Sequence, residues 1–116
     1  MKCLVVDSDA EIRRLIVAVL APMSAEIVEC ADTARATEMY RTHWPFVVLT
    51  DLAMDGGDAF RTARAILAID PVARVVIVTN VDGADLRRAA KTAGARDYVL
   101  KENLLDLLPL LESLRA

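Results

Sequence analysis

The chain has 116 residues, of which 55% are hydrophobic and 27% charged, and its net charge is -3. That length fits one domain, and that apolar content far exceeds what a disordered chain carries. The acidic balance argues against a domain that grips nucleic acid by itself, no apolar run reaches the roughly 18 residues of a membrane span, and the N-terminal run meets Asp7 too early for a signal peptide.

A cytoplasmic protein is therefore expected. Two cysteines, Cys3 and Cys30, fit neither a disulfide framework nor a zinc site and are expected as buried thiols.

Residues 2–6, KCLVV, make the first expected strand, which runs into Asp7-Ser8-Asp9. Alone, that triplet has two readings. It is the Asp-x-Asp of a phosphatase of the haloacid dehalogenase type, whose first acid attacks phosphorus, or it is a metal-binding acid cluster short of one carboxylate. Ile12, Leu15, Ile16, Val19 and Leu20 then follow the spacing of one helix face, with Pro22 just beyond its end. A second strand is expected over residues 25–30. Asp32 can cap the next helix, which buries Ala36, Met39 and Tyr40 and ends at His43, a partner for the helix dipole.

The third strand, over residues 45–50, leads to Asp51, and the DGGD at 55–58 supplies turn geometry before a helix marked by Phe60, Ala63 and Leu67. The fourth strand, residues 73–79, ends at Thr79. The helix after it shows Leu86, Ala89, Ala90 and Ala93 to the core, with Gly94 as its stop. A face of alanines buries little area, so this helix should be loosely held. Arg87, Arg88 and Lys91 on it read as a solvated basic face. The fifth strand, residues 96–100, is followed by Lys101. Pro109 is harmless only in a first turn, which starts the last helix near Asp106. Its leucines, Leu107, Leu108, Leu110, Leu111 and Leu114, cover a wide arc. They are a thick edge of the core or a partner or homodimer surface.

Short Val-, Ile- and Leu-rich runs suit strands covered on both faces, as in a parallel sheet. Strict alternation with helices predicts an α/β fold of (βα)5 type, doubly wound, as one domain over residues 1–116. Ligands of such sheets bind beyond the carboxyl ends of the strands. There the chain places Asp7-Ser8-Asp9, Asp51, Thr79 and Lys101. Clustered carboxylates need a cation, and a hard divalent ion such as magnesium suits oxygen donors. With it in place one carboxylate can attack a phosphoryl group, while the lysine and a threonine hydroxyl take up charge on the phosphoryl oxygens.

The runs VVD, PFVVLTDLAMDGGDAF, VVIVTN and AGARDYVLKEN, in this order and at this spacing, resemble the receiver domain of two-component response regulators over essentially the whole chain. The resemblance implies a flavodoxin-like strand order 2-1-3-4-5. It implies that Asp51 accepts phosphate from a histidine kinase or histidine phosphotransfer protein, with Mg2+ as cofactor. Asp7, Asp51 and the backbone carbonyl of Ala53 would hold the ion, with Ser8 or Asp9 as the remaining candidate donors. Thr79 and Lys101 would contact the phosphoryl group. Tyr98 matches an aromatic switch that turns inward as Thr79 closes, changing the surface offered to a downstream protein target. Neither direct nucleic-acid binding nor membrane attachment is implied.

Four positions depart from the family pattern. Ser8 replaces a second acid and is a poorer ligand for a hard cation. Asp55 stands where proline is common and could restore charge through water. Asn80 replaces a small residue beside Thr79. Glu102 replaces a proline, so a trans peptide or a reshaped loop is expected after Lys101. Ser8 and Asn80 motivate a second reading, a pseudo-receiver that only binds partners. The phosphatase reading with Asp7 as nucleophile leaves Asp51 unexplained and finds no room for a cap. With residue 116 as the last of the sequence, either a stand-alone regulator acting by protein contact or a piece of something longer is expected.

Overall fold

The computed structural model describes residues 1–54 and 57–116. Asp55 and Gly56, at the centre of the expected turn, lie outside the described residues, and with them the compensating acid. Five parallel strands form the main sheet: β1 (Lys2–Val6), β2 (Glu26–Cys30), β3 (Val47–Thr50), β4 (Val75–Thr79) and β5 (Asp97–Leu100). Their order is 2-1-3-4-5, as expected. A short antiparallel pair, Ala53–Met54 with Gly57–Asp58, follows β3. Five α-helices alternate with the strands: α1 (Ala10–Leu20), α2 (Ala36–His43), α3 (Ala59–Ile69), α4 (Ala84–Thr92) and α5 (Leu107–Arg115).

The central strands β3 and β4 are buried along their whole length, which explains their unbroken apolar letters. Successive residues serve opposite faces. Cys3 and Val5 join Ile16, Leu20, Leu107 and Leu111 under α1 and α5, whereas Leu4 and Val6 join Tyr40, Ala63 and Ile66 under α2 and α3. Cys30 belongs to the second cluster, so the two cysteines sit on opposite faces and stay free thiols. Burial pushes the Cys3 thiol up to about 11, against a smaller downward pull from the N-terminal charge.

Two helix faces differ from the periodicity. Leu15 is 48% exposed. It lies about 100° around α1 from the buried Ile16, beyond the arc that Ile12, Ile16, Val19 and Leu20 fill. In α3 the buried stripe is Ala59, Thr62, Ala63 and Ile66, and the expected Phe60 and Leu67 flank it. Asp32 does cap, but its carboxylate accepts from Arg35 N–H at the start of a 3-10 turn, Thr33–Arg35, that precedes α2. The chain after β5 likewise runs through a 3-10 segment, Lys101–Asp106, into α5. Asp106 stands at the start of α5 and Pro109 in its first turn. Asp106 keeps helical dihedrals and makes no side-chain cap bond, because the chain arrives already coiled. No cis peptide occurs among the described residues, so Lys101–Glu102 is trans.

The leucines of α5 face inward. Leu107 and Leu111 are fully buried and Leu108, Leu110 and Leu114 pack against the same cluster. The arc is core edge. Tyr40 is anchored by its hydroxyl, which donates to Asp70 Oδ2 at 2.6 Å. Gly94 ends α4 with φ +99, and a Cβ there would run into the Leu67 side chain. Gly94→Ala is expected to lower stability by about 1–2 kcal/mol, since both the left-handed backbone and the contact oppose it. A shift of the urea midpoint to lower concentration at unchanged slope checks this.

Candidate functional site

The site is built by ladder geometry. Asp7 and Asp51 lie one residue beyond β1 and β3, yet their N–H groups still donate into the sheet, Asp7 to the Cys30 carbonyl at 3.0 Å and Asp51 to the Val6 carbonyl at 2.9 Å. Both carboxylates are thereby fixed at adjacent strand ends, and both residues are buried. Thr79 closes β4 and is 1% exposed. Lys101, just after β5, completes the row. Its Nζ lies 2.8 Å from Asp7 Oδ2 and 3.3 Å from Asp51 Oδ1. The four residues expected at the carboxyl edge of the sheet thus stand at the ends of four consecutive strands.

Lys101 balances two opposing effects. Burial alone would push its ammonium pKa down. The hydrogen bond to Asp7 and the charges of Asp51 and Asp7 outweigh that, and the pKa is raised. One ammonium against two carboxylates still leaves the pair with excess negative charge, which favours a cation.

The Asp7-Ser8-Asp9 turn divides its labour. Asp7 Oδ1 accepts from Asp9 N–H at 2.9 Å, and Asp9 Oδ1 accepts from Glu11 N–H at 2.9 Å as the N-cap of α1. The Asp9 carboxylate is therefore engaged at the helix start. Ser8 is exposed. Among the described residues no three acid, imidazole or thiol side chains gather as a metal set. Asp7 and Asp51 nevertheless reach one ammonium together, so their oxygens can also meet at one hard cation, and magnesium fits this donor chemistry. Ala53 lies in the short strand two residues after Asp51, so its Cα is within about 7 Å of the Asp51 Cα along the chain.

A second group links Thr79 to the outer edge. Thr79 Oγ1 accepts from Val81 N–H at 3.2 Å, and the Tyr98 hydroxyl donates to the Val81 carbonyl at 2.6 Å. Tyr98 is 7% exposed, with the Arg87 guanidinium 4.7 Å above its ring. Burial raises its phenol pKa, with Arg87 lowering and Asp82 raising it further. Arg87 also pairs with Asp82 at 2.8 Å, so one of the residues read as a solvated basic face covers an aromatic ring. Asn80, beside Thr79, is exposed.

Two residues were not marked by the sequence. Arg13 donates to the Asp7 carbonyl, and the Thr50 hydroxyl donates to the Asp51 carbonyl at 3.3 Å. Thr50 could have been noticed as a polar letter in an apolar strand. Arg13 has no such signal, because its partners come from other elements.

The response regulator receiver domain profile matches residues 3–111. The chain is 31% identical to the chemotaxis protein CheY of Bacillus subtilis over 101 residues, covering 86% of this chain and 84% of that one. It is 32% identical to the transcriptional regulatory protein PdtaR of Mycobacterium tuberculosis over 113 residues, 96% of this chain but only 55% of that protein. Among solved structures, the BeF3-activated N-terminal receiver domain of RstA from Klebsiella pneumoniae superposes with a TM-score of 0.89 at 28% identity, with full coverage of both chains. No helix of the described residues is long and apolar enough to cross a membrane. With the fold, the strand-end residues and these relatives in agreement, the chain belongs to the receiver domain family of two-component response regulators.

Proposed function

We propose that the chain is one signalling unit that takes a phosphoryl group onto Asp51 from a histidine kinase or histidine phosphotransfer protein. The observation that carries this is the shared ammonium: Lys101 lies within 3.3 Å of both the Asp51 and Asp7 carboxylates, on the edge of the sheet where ligands bind. An Asp51 carboxylate oxygen attacks phosphorus, the phosphorus–nitrogen bond of the phosphohistidine breaks, and the departing imidazole takes up a proton. Lys101 holds the incoming group by charge, and the Thr79 hydroxyl, whose oxygen already accepts from Val81 N–H, donates its own proton to a phosphoryl oxygen. Asp7, Asp51 and the Ala53 carbonyl would hold magnesium, whose charge would neutralise the phosphoryl oxygens.

Movement of Thr79 toward the phosphoryl group pulls on Val81, whose carbonyl holds the Tyr98 hydroxyl. The α4–β5 surface offered to a downstream target changes with it. The donor class and the reduced thiols of Cys3 and Cys30 both suit the cytoplasm. A homodimer through α5 would have to use its outward edge, since the leucines of that helix serve the core.

One observation favours a pseudo-receiver instead: among the described residues the site has two carboxylates where the family has three, and Asp9, the next acid along the turn, caps a helix. Intact-mass measurement after incubation with acetyl phosphate and magnesium decides between them. A single phosphoryl increment that disappears in Asp51→Asn is expected. No increment with either acetyl phosphate or a phosphorylated histidine donor, or an increment that survives Asp51→Asn, overturns the proposal.

A further inference from the structure

Arg13 stands one turn into α1, and its side chain reaches back over the turn that carries Asp7. Its Nη1 donates to the Asp7 carbonyl oxygen at 2.6 Å, and its Nε donates to Glu29 Oε1, on β2, at 2.9 Å. The Arg13 side chain is 16% exposed and that of Glu29 46%, so the guanidinium is largely covered while its acid partner faces solvent. The Asp7 backbone is consequently held on both sides, its N–H by the Cys30 carbonyl and its C=O by the guanidinium, while Asp9 N–H holds one carboxylate oxygen. The direction in which the Asp7 carboxylate leaves the strand follows from those three bonds.

The geometry points to Arg13 as a positioning residue for the cation site, with Glu29 as the counter-charge that lets a guanidinium stand beside it. This deepens the receiver reading and rests on it. Three considerations carry the step. The planar fork of arginine serves two acceptors at once, which a lysine ammonium on a flexible stem does not do with fixed geometry. An uncompensated cation so near the acid pair would repel a divalent ion, and Glu29 removes that repulsion. Because Ser8 is neutral, fewer charged donors remain, so affinity depends more on how Asp7 is aimed. Groups behind the ligands of a metal site commonly act in this way.

The test is calorimetric titration of the full chain with magnesium. Arg13→Met/Glu29→Gln removes one charge of each sign, so the local net charge is unchanged and only the clamp is lost. The magnesium dissociation constant is expected to rise about ten-fold, while the rate of phosphoryl uptake from acetyl phosphate at saturating magnesium holds near that of the parent. Glu29→Gln alone is expected to weaken binding in a way that fades with added salt, because it exposes the guanidinium charge. Arg13→Lys keeps charge and bulk and is expected to lose affinity part-way; it decides the matter if the double variant does not fold by its thermal melt. Parent-like affinity in the deciding variant overturns the clamp alone. A parent chain that binds no magnesium at millimolar concentration overturns the clamp together with the metal step of the receiver reading.

Discussion

Lys101→Met is expected to lower folding stability by about 3 kcal/mol in the absence of divalent ions, the cost of taking the counter-charge away from buried carboxylates. Methionine keeps most of the apolar stem, so packing is nearly conserved and the loss reports charge. The parent site holds two carboxylates against one ammonium, with Asp7 3% and Asp51 7% exposed. The variant lacks the ammonium that both carboxylates share. The parent's Lys101 pKa is raised above 10.5, so its contribution is whole below pH 10.5 and is lost only as the pH climbs through the raised value. Measurements at neutral pH therefore see all of it. Urea denaturation checks the loss, and the gap should narrow with millimolar magnesium, which returns positive charge to the pair. Phosphoryl uptake should fall by about two orders of magnitude, as when one preorganised electrostatic partner is removed. Adding Asp51→Asn should recover part of the stability, because it removes one of the repelling charges. An unchanged midpoint in Lys101→Met would show that the ammonium contributes no net stability.

Leu111→Ala is expected to cost about 3 kcal/mol, from lost burial and the cavity left behind. Leu111 is fully buried in the cluster that joins β1, β3 and α1 to α5. Leu105, only six residues earlier and 68% exposed, supplies the contrast: Leu105→Ala should stay within about 0.5 kcal/mol. Denaturation midpoints at a common slope measure both. If the two changes cost the same, α5 is not held by the core in the way its burial indicates.

Much of this architecture was legible because it rests on local chemistry. The apolar runs at 45–50 and 73–79 announced doubly covered strands, although each starts two residues later than its run. Pro45 has no N–H to donate, and in the other run the sheet's first bond there uses the Arg74 carbonyl. Gly94 and Pro109 marked helix ends through backbone restrictions alone. Asp7, Asp51, Thr79 and Lys101 could be placed at one edge of the sheet because strand ends converge in this topology. The failures share another cause. Leu15 and the stripe of α3 depend on how each helix is rotated against the sheet, which the whole core decides. The 3-10 turns before α2 and α5 are too short to impose a period. The Arg13–Glu29 contact joins residues sixteen apart in different elements, and the Tyr98–Val81 contact joins a side chain to a backbone group, so no letter pattern announces either.

The expectation that α4 is lightly held acquires a thermodynamic meaning from the packing. Within the helix only Ala90 is fully buried, beneath it lie Ile77, Tyr98 and Ala59, and Leu86 is half-covered. The opposite flank, with Leu20, Leu107 and Leu111, carries far more apolar area. The domain therefore has unequal local stabilities. Amides of α4 can exchange with solvent through a partial opening that leaves β1, β3 and α5 intact, well below the free energy of global unfolding. A protein that grips α4 can reshape it at small energetic cost, and whatever tightens the Val81–Tyr98 contact changes how often that opening occurs.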